Sequence, residues 1–193
     1  MSTTRTFIAI EIASAVRSRA AELIRVLAYE GDGVKWVVPE NLHLTLQFLG
    51  DVAQNDLAGV CEAVGRAVAD RSPFEISLWG ANAFPHRGRP RTLWLGVDEG
   101  SESLSRLQRV VQSAVRKLGF PPEHRAFHPH LTLGRVRRPS PTLQHLTERL
   151  RAQQDFPAGR SPVEQVVVFA SYLDRHGPTY QALHRAPLSG PGG

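Results

Sequence analysis

Leu42-His43-Leu44-Thr45-Leu46-Gln47-Phe48-Leu49 alternates apolar and polar residues without a break. That is the pattern of a half-buried strand, whose side chains point alternately to opposite faces. Strict alternation puts His43, Thr45 and Gln47 on one face and Leu42, Leu44, Leu46 and Phe48 on the other. The chain writes the centre of this stretch again as His130-Leu131-Thr132-Leu133. In the second copy His128, His130 and Thr132 share a face, opposed by Phe127, Leu131 and Leu133. Each strand therefore offers an imidazole and a hydroxyl one step apart, on the side away from its apolar packing.

The two tetrapeptides sit in a longer repeat. Each is preceded by an apolar strand and a helix, the strands being Phe7-Ile8-Ala9-Ile10 and Leu93-Trp94-Leu95-Gly96-Val97. Each is followed by a helix and then a strand opening on Ser-Pro-x-Glu, at Ser72 and at Ser161. His43 lies 29 positions before Ser72, and His130 lies 31 before Ser161. Shared order and spacing predict two similar β-α-β-α-β lobes, about residues 5–84 and 91–173, packed about a pseudo-two-fold axis. The whole of 1–188 is expected to form one two-lobed domain, and 189–193, Ser-Gly-Pro-Gly-Gly, a disordered tail. A pseudo-two-fold axis sets the two His-x-Thr strands across a cleft from one another. Paired imidazoles suit acid–base chemistry, because one can take a proton while the other gives one.

Composition narrows the setting. The 193 residues are 41% hydrophobic and 21% charged, as in ordinary globular proteins. A single cysteine, Cys61, excludes an intrachain disulfide and falls in the helical pattern of Leu57, Val60, Val64 and Val68, as a small buried hydrophobe. No apolar run approaches the ~20 residues that cross a bilayer, and no apolar leader opens the chain, so a cytoplasmic protein without a membrane partner is expected. The net charge of +5 favours an anionic partner.

Local signals predict strands over 5–11, 34–38, 42–49, 74–83, 91–98, 126–135, 163–173 and 179–185. They predict helices over 14–29 and 101–118, capped by Ser14 and Ser101, and over 55–69 and 142–153. The pair His128-x-His130 has a spacing that also suits a metal, but no acidic residue stands nearby to complete a site, and no metal is expected. Arg135 carries a guanidinium fork that matches two phosphate oxygens. Strict alternation turns it away from His130, so it reaches the cleft only if the strand bends near Gly134. Trp36, Trp79 and Trp94 are read as core, and His86, His124, His145, His176 and His184 receive no role.

The chain resembles the 2H phosphoesterase superfamily, and more narrowly the bacterial and archaeal RNA 2′,3′-cyclic phosphodiesterases, also called 2′-5′ RNA ligases. The resemblance rests on the run Trp36-Val37-Val38-Pro39-Glu40-Asn41-Leu42-His43-Leu44-Thr45-Leu46 and on Phe127 to Arg135, and extends over nearly the whole chain. It implies an α+β fold of two pseudo-symmetric β-α-β-α-β lobes with antiparallel sheets lining a central cleft, and hydrolysis of 2′,3′-cyclic phosphate ends of RNA to 2′-phosphates, without a metal or other cofactor. His43 and His130 would be catalytic, as acid and base respectively, with Thr45, Thr132 and Arg135 binding the phosphate. The implied partners are RNA ends such as tRNA fragments, or small cyclic nucleotides, met by a monomer. Related chemistry on another cyclic or 2′-5′-linked nucleotide, and non-catalytic binding of RNA ends, are the alternatives.

Overall fold

The computed structural model describes residues 2–86, 88–123, 125–138, 143–175 and 177–191. Nine strands and four helices are described: β1 (Thr3–Glu11), α1 (Ser14–Leu27), β2 (Val34–Trp36), β3 (His43–Ala53), α2 (Leu57–Val68), β4 (Phe74–Phe84), β5 (Thr92–Val97), α3 (Ser101–Arg116), β6 (His130–Val136), α4 (Leu143–Ala152), β7 (Pro157–Val163), β8 (Gln165–Asp174) and β9 (Gly177–Pro187). They form two sheets, in the orders β3-β1-β8-β9 and β2-β6-β5-β4-β7, with every pairing antiparallel. No helix among the described residues is long and apolar enough to cross a membrane.

The order β3-β1-β8 in one sheet has the same form as β6-β5-β4 in the other. We read this as the arrangement left by an internal duplication. The lobes are not contiguous in sequence, however. The last strand of each repeat crosses over: β4 pairs with β5 of the second repeat, and β8 pairs with β1 of the first.

One main core lies on the faces away from the cleft. Its helical part comes from stripes at helical spacing: Val16, Ala20, Leu23 and Leu27 of α1, Val60, Val64 and Val68 of α2, and Leu104, Leu107, Val111 and Val115 of α3. The strands contribute Ile8, Ile10, Leu44, Leu46, Leu93, Leu95, Leu131 and Leu133. A second, small cluster of Phe7, Ala9, Val167 and Phe169 lies on the other face of β1 and β8. Cys61 packs partly buried against the main core, and burial raises its thiol pKa, so it remains a protonated hydrophobe.

Several expectations change. Ser14 opens α1 rather than capping it; Ala13 holds the cap position, and its N–H donates to the buried Ser161 Oγ at 2.8 Å. Gly100, not Ser101, precedes α3, at φ +79°, where an added Cβ would lie 2.4 Å from the Glu75 carbonyl oxygen. Ser161-Pro162-Val163, expected to open the next strand, instead ends a separate one: Pro157–Val163 forms β7 along β4, although Pro157 to Arg160 gave no strand signal. β7 is a sheet edge, where proline is tolerated. The tail is tied down over part of its length. Ser189 and Gly190 donate to the Ala69 and Arg71 carbonyls, and Ser72 Oγ donates to the Pro191 carbonyl; residues 192–193 lie outside the described set.

The pairing of β2 with β6 depends on Gly134. A Cβ there would lie 2.8 Å from Val34 Cγ1 and 2.9 Å from Trp36 Cε3. Gly134→Ala should therefore cost about 1–3 kcal/mol, as overpacking does. Urea unfolding checks this, and an unchanged midpoint and slope would show that β2 yields freely.

Candidate active site

Both His-x-Thr motifs lie at the starts of their strands, and β3 and β6 are in contact. Each imidazole is oriented in the same way. His43 Nδ1 donates to the Asn41 carbonyl at 2.7 Å, and His130 Nδ1 donates to the His128 carbonyl at 2.6 Å. A carbonyl only accepts, so the proton of each neutral ring sits on Nδ1 and the lone pair on Nε2. His43 Nε2 meets the Thr45 hydroxyl at 3.1 Å. The contribution of His128 to its motif is thus its carbonyl, while its side chain is exposed.

Strict alternation fails after each threonine, at the same place in both copies. In β3, Thr45 pairs with Ala9 and Gln47 with Ile8, leaving Leu46 as the extra residue. In β6, Thr132 pairs with Trp94 and Gly134 with Leu93, leaving Leu133. These bulges exchange the faces of the residues that follow, in β3 as far as a second bulge at Leu49. Arg135 accordingly pairs with Thr92, and its Nη1 approaches Thr92 Oγ1 at 3.4 Å. Its positive charge acts on both His43 and His130, lowering the pKa of each.

The same bulge corrects the expected faces in β3. Gln47 does not join His43 and Thr45: it is only 1% exposed, with its amide directed to the Phe48 and Pro121 carbonyls and its Oε1 accepting from Gln112. Phe48, expected in the core, is 51% exposed, 6.1 Å from the ring of Phe7.

Each histidine has its own aromatic surroundings. His43 lies 4.8 Å from Phe7, 5.3 Å from Tyr180 and 6.4 Å from Phe169, between ring centroids. His130 lies 5.2 Å from Phe84 and 6.0 Å from Trp94. Sequence reasoning missed these partners, because aromatic residues in strands signal packing as readily as a site. It also read Trp79 as core, where the structure leaves it 46% exposed, and gave no role to His86, which packs edge-on against Phe84 and Trp94. Trp36 does join the core and donates to Asp32 Oδ2. His124 and His176 lie outside the described residues.

Burial governs the titration of both imidazoles. It lowers His43 to about 4, reinforced by Arg135 and opposed by the Asn41 carbonyl. His130 is lowered for the same first reason, reinforced by Arg135 and His128 and opposed by the His128 carbonyl and Glu123. Both rings are therefore neutral near pH 7 in the unliganded cleft. Burial raises the Tyr180 pKa, against the charges of Arg135 and Arg5. Among the described residues no three His, Cys, Asp or Glu side chains gather to hold a metal ion.

Two His-x-Thr motifs presented on bulged strands of an α+β fold, with an arginine whose charge acts on both imidazoles, make a candidate phosphoesterase site. The model of the 2′-5′ RNA ligase superfamily matches residues 13–175, and the chain belongs to that family. A Methanothermobacter thermautotrophicus protein named RNA 2′,3′-cyclic phosphodiesterase is 38% identical over 176 residues, covering 91% of this chain and 94% of its own. Relatives at 34 to 36% identity carry the same name. The crystal structure of TT0787 of Thermus thermophilus superposes with a TM-score of 0.81 at 28% identity, over 96% of this chain and 98% of that one. Escherichia coli LigT complexed with 3′-AMP superposes with a TM-score of 0.77 at 25% identity, over 97% and 99%.

The depressed His43 pKa has a consequence for stability. In the unfolded chain histidine titrates near 6.5. The folded value of about 4 lies below that. Above pH 6.5 neither state holds the proton, and nothing is lost. As pH falls from 6.5 towards 4 the unfolded chain takes up a proton that folded His43 refuses, so stability falls, by on the order of 3 kcal/mol from this residue. Chemical denaturation at pH 7 and pH 4.5 should show a smaller acid loss in His43→Gln than in the unmodified protein. Equal losses would mean that His43 titrates normally.

Proposed function

We propose that this protein hydrolyses 2′,3′-cyclic phosphate ends of RNA to 2′-phosphates, with His43 and His130 as the paired acid and base. The observation that carries this is the orienting of both imidazoles by one device, a backbone carbonyl on Nδ1, with the charge of one arginine acting on both rings. The names of the relatives support the substrate.

The steps follow from the groups present. A neutral imidazole takes a proton from water at Nε2 as the water oxygen attacks phosphorus. The other imidazole, protonated at Nε2, gives its proton to the leaving 3′-oxygen. Thr45 and Thr132 donate hydroxyl hydrogens to the non-bridging oxygens, and Arg135 balances the charge that gathers there. The resemblance makes His130 the base and His43 the acid; the electrostatics of the free cleft favour the opposite order. His43 is the more deeply depressed ring and resists a proton, whereas Glu123 helps His130 hold one. We therefore assign the base to His43 and the acid to His130. The negative charge of the bound phosphate offsets Arg135 and raises the imidazole that it touches. We further infer cytoplasmic, monomeric action on RNA ends such as tRNA fragments. One chain carries both histidines, and a single cysteine suits a reducing compartment.

His43→Ala and His130→Ala should each lower turnover of a cyclic-phosphate dinucleotide by about 10²–10⁴-fold. A nitrophenyl phosphodiester, whose leaving group needs no proton, separates the roles. His130→Ala should lose little on it, and His43→Ala should lose as much as on RNA. The reverse pattern would exchange the assignments, and near-normal turnover by either folded variant would remove the paired mechanism.

The pH profile is a separate check. kcat/KM reports the free enzyme, which needs one proton shared by the pair. Both rings titrate below 6.5, His43 at about 4, so kcat/KM should be bell-shaped with its maximum between about pH 4 and 6.5. A maximum above pH 7.5 would contradict the burial argument.

A further inference from the structure

Beside His130 lies a cavity of about 380 Å³, within the usual size of small-molecule sites. Its lining includes Trp79, Asn82, Phe84, His86, Trp94 and His128. Phe84 and Trp94 stack with centroids 4.7 Å apart, and His86 stands edge-on to both. Among the described residues none of the lining side chains is an Arg, Lys, Asp or Glu. Asn82 Oδ1 already accepts the Ala83 N–H. The cavity thus offers aromatic ring faces from Trp79, Phe84 and Trp94 without an Arg, Lys, Asp or Glu side chain, beside the polar Ser101 and Gln154.

The matching place on the other sheet is built differently. By strand register, Glu11 faces His43 where Gly96 faces His130. Glu11 is paired with Arg185 and bonded to Gln165, so charged groups occupy that side. Gly96 has no side chain, and the cross-strand neighbour at its level is the half-exposed Trp79. β9 runs along β8 past Phe169, the counterpart of Phe84 by register, and brings Tyr180 and Ala182 over that sheet. β7 pairs with β4 only from Phe74 to Trp79, so Asn82 and Phe84 lie beyond its reach. The duplication therefore leaves one side open where it closes the other. Trp94 Nε1–H is buried without a partner among the described residues, a cost that phenylalanine would avoid; its larger ring face is what tryptophan adds.

We propose that this pocket is a nucleobase site, which takes by stacking the base of a nucleoside flanking the phosphate on the His130 side. The proposal rests on the phosphodiesterase function proposed above. Stacking on aromatic rings serves every base, since each has a π-face, so the site grips RNA ends without selecting sequence.

Tryptophan fluorescence tests it directly. Trp36 lies on β2, so in a Trp36→Phe background both remaining indoles line the pocket. Titration with a 2′-phosphate-ended dinucleotide should quench emission, and inorganic phosphate alone should not. In kinetics, Trp79→Ala should lower kcat/KM for a cyclic-phosphate dinucleotide by about 5- to 150-fold, the range of base–aromatic stacking, with the loss in KM. Trp79→Phe should recover most of it. His86→Ala, checked by circular dichroism, gives a second variant at the pocket mouth. Equal quenching by phosphate alone, or an unchanged KM in both Trp79→Ala and His86→Ala while hydrolysis proceeds, overturns the pocket and leaves the function standing. Quenching by the dinucleotide with no hydrolysis of any cyclic end overturns the function and leaves the pocket standing.

Discussion

A single residue of slippage in strand pairing sets the composition of the cleft. A strand alternates its faces with a period of two, so one unpaired residue exchanges the faces of all that follows. Both copies place that residue directly after the threonine, at Leu46 and Leu133. Upstream of it the imidazole and hydroxyl keep the cleft face. Downstream of it Arg135 comes in and Gln47 goes out, into a buried set of amide and carbonyl bonds. Without the bulge the arginine would lie on the face that packs into the core. Gly134 lets β2 close over the bulged stretch, so a tight backbone approach lies beside the residue that the bulge redirects.

The second constraint is burial. The rings that hold the histidines in place also withhold water from them, and an imidazole without water gives up its proton. Position and protonation thus pull against each other at His43, whose carbonyl partner on Nδ1 offsets only part of the loss. An anionic substrate resolves the conflict. It adds negative charge beside the two rings, so the site reaches its working protonation in the presence of what it acts on.

Much of this was legible in the sequence. The repeated tetrapeptide with its matched flanks carried the two-fold repeat and the pair of histidines, because period and spacing survive in one dimension; the antiparallel α+β class came with the family resemblance. Arg135 was legible only as a conditional: alternation excluded it, and only a bend would admit it. The bulge leaves no signature, since Leu46 and Leu133 are ordinary strand residues. β7 was hidden by Pro157, Gly159 and Pro162, which break central strands but suit an edge. The aromatic walls were invisible for a different reason. Phe84, Trp94 and His86 come from a hairpin distant in sequence from His130, and nothing in their local pattern separates a wall from a core.

The exchange of third strands has a consequence for how the protein comes into being. β1 opens the chain, yet its neighbour β8 begins at Gln165, and the hairpin that ties down Asn41 through the Pro178 carbonyl is later still. The first repeat therefore cannot complete its own sheet during synthesis. Its apolar strands must wait for the residues from Gln165 onward, a high contact order that slows folding. The same delay acts as a safeguard. A prematurely terminated chain lacks the wall behind His43, so the paired-histidine centre cannot assemble on a fragment. Closure of that sheet and assembly of the wall behind His43 become one event.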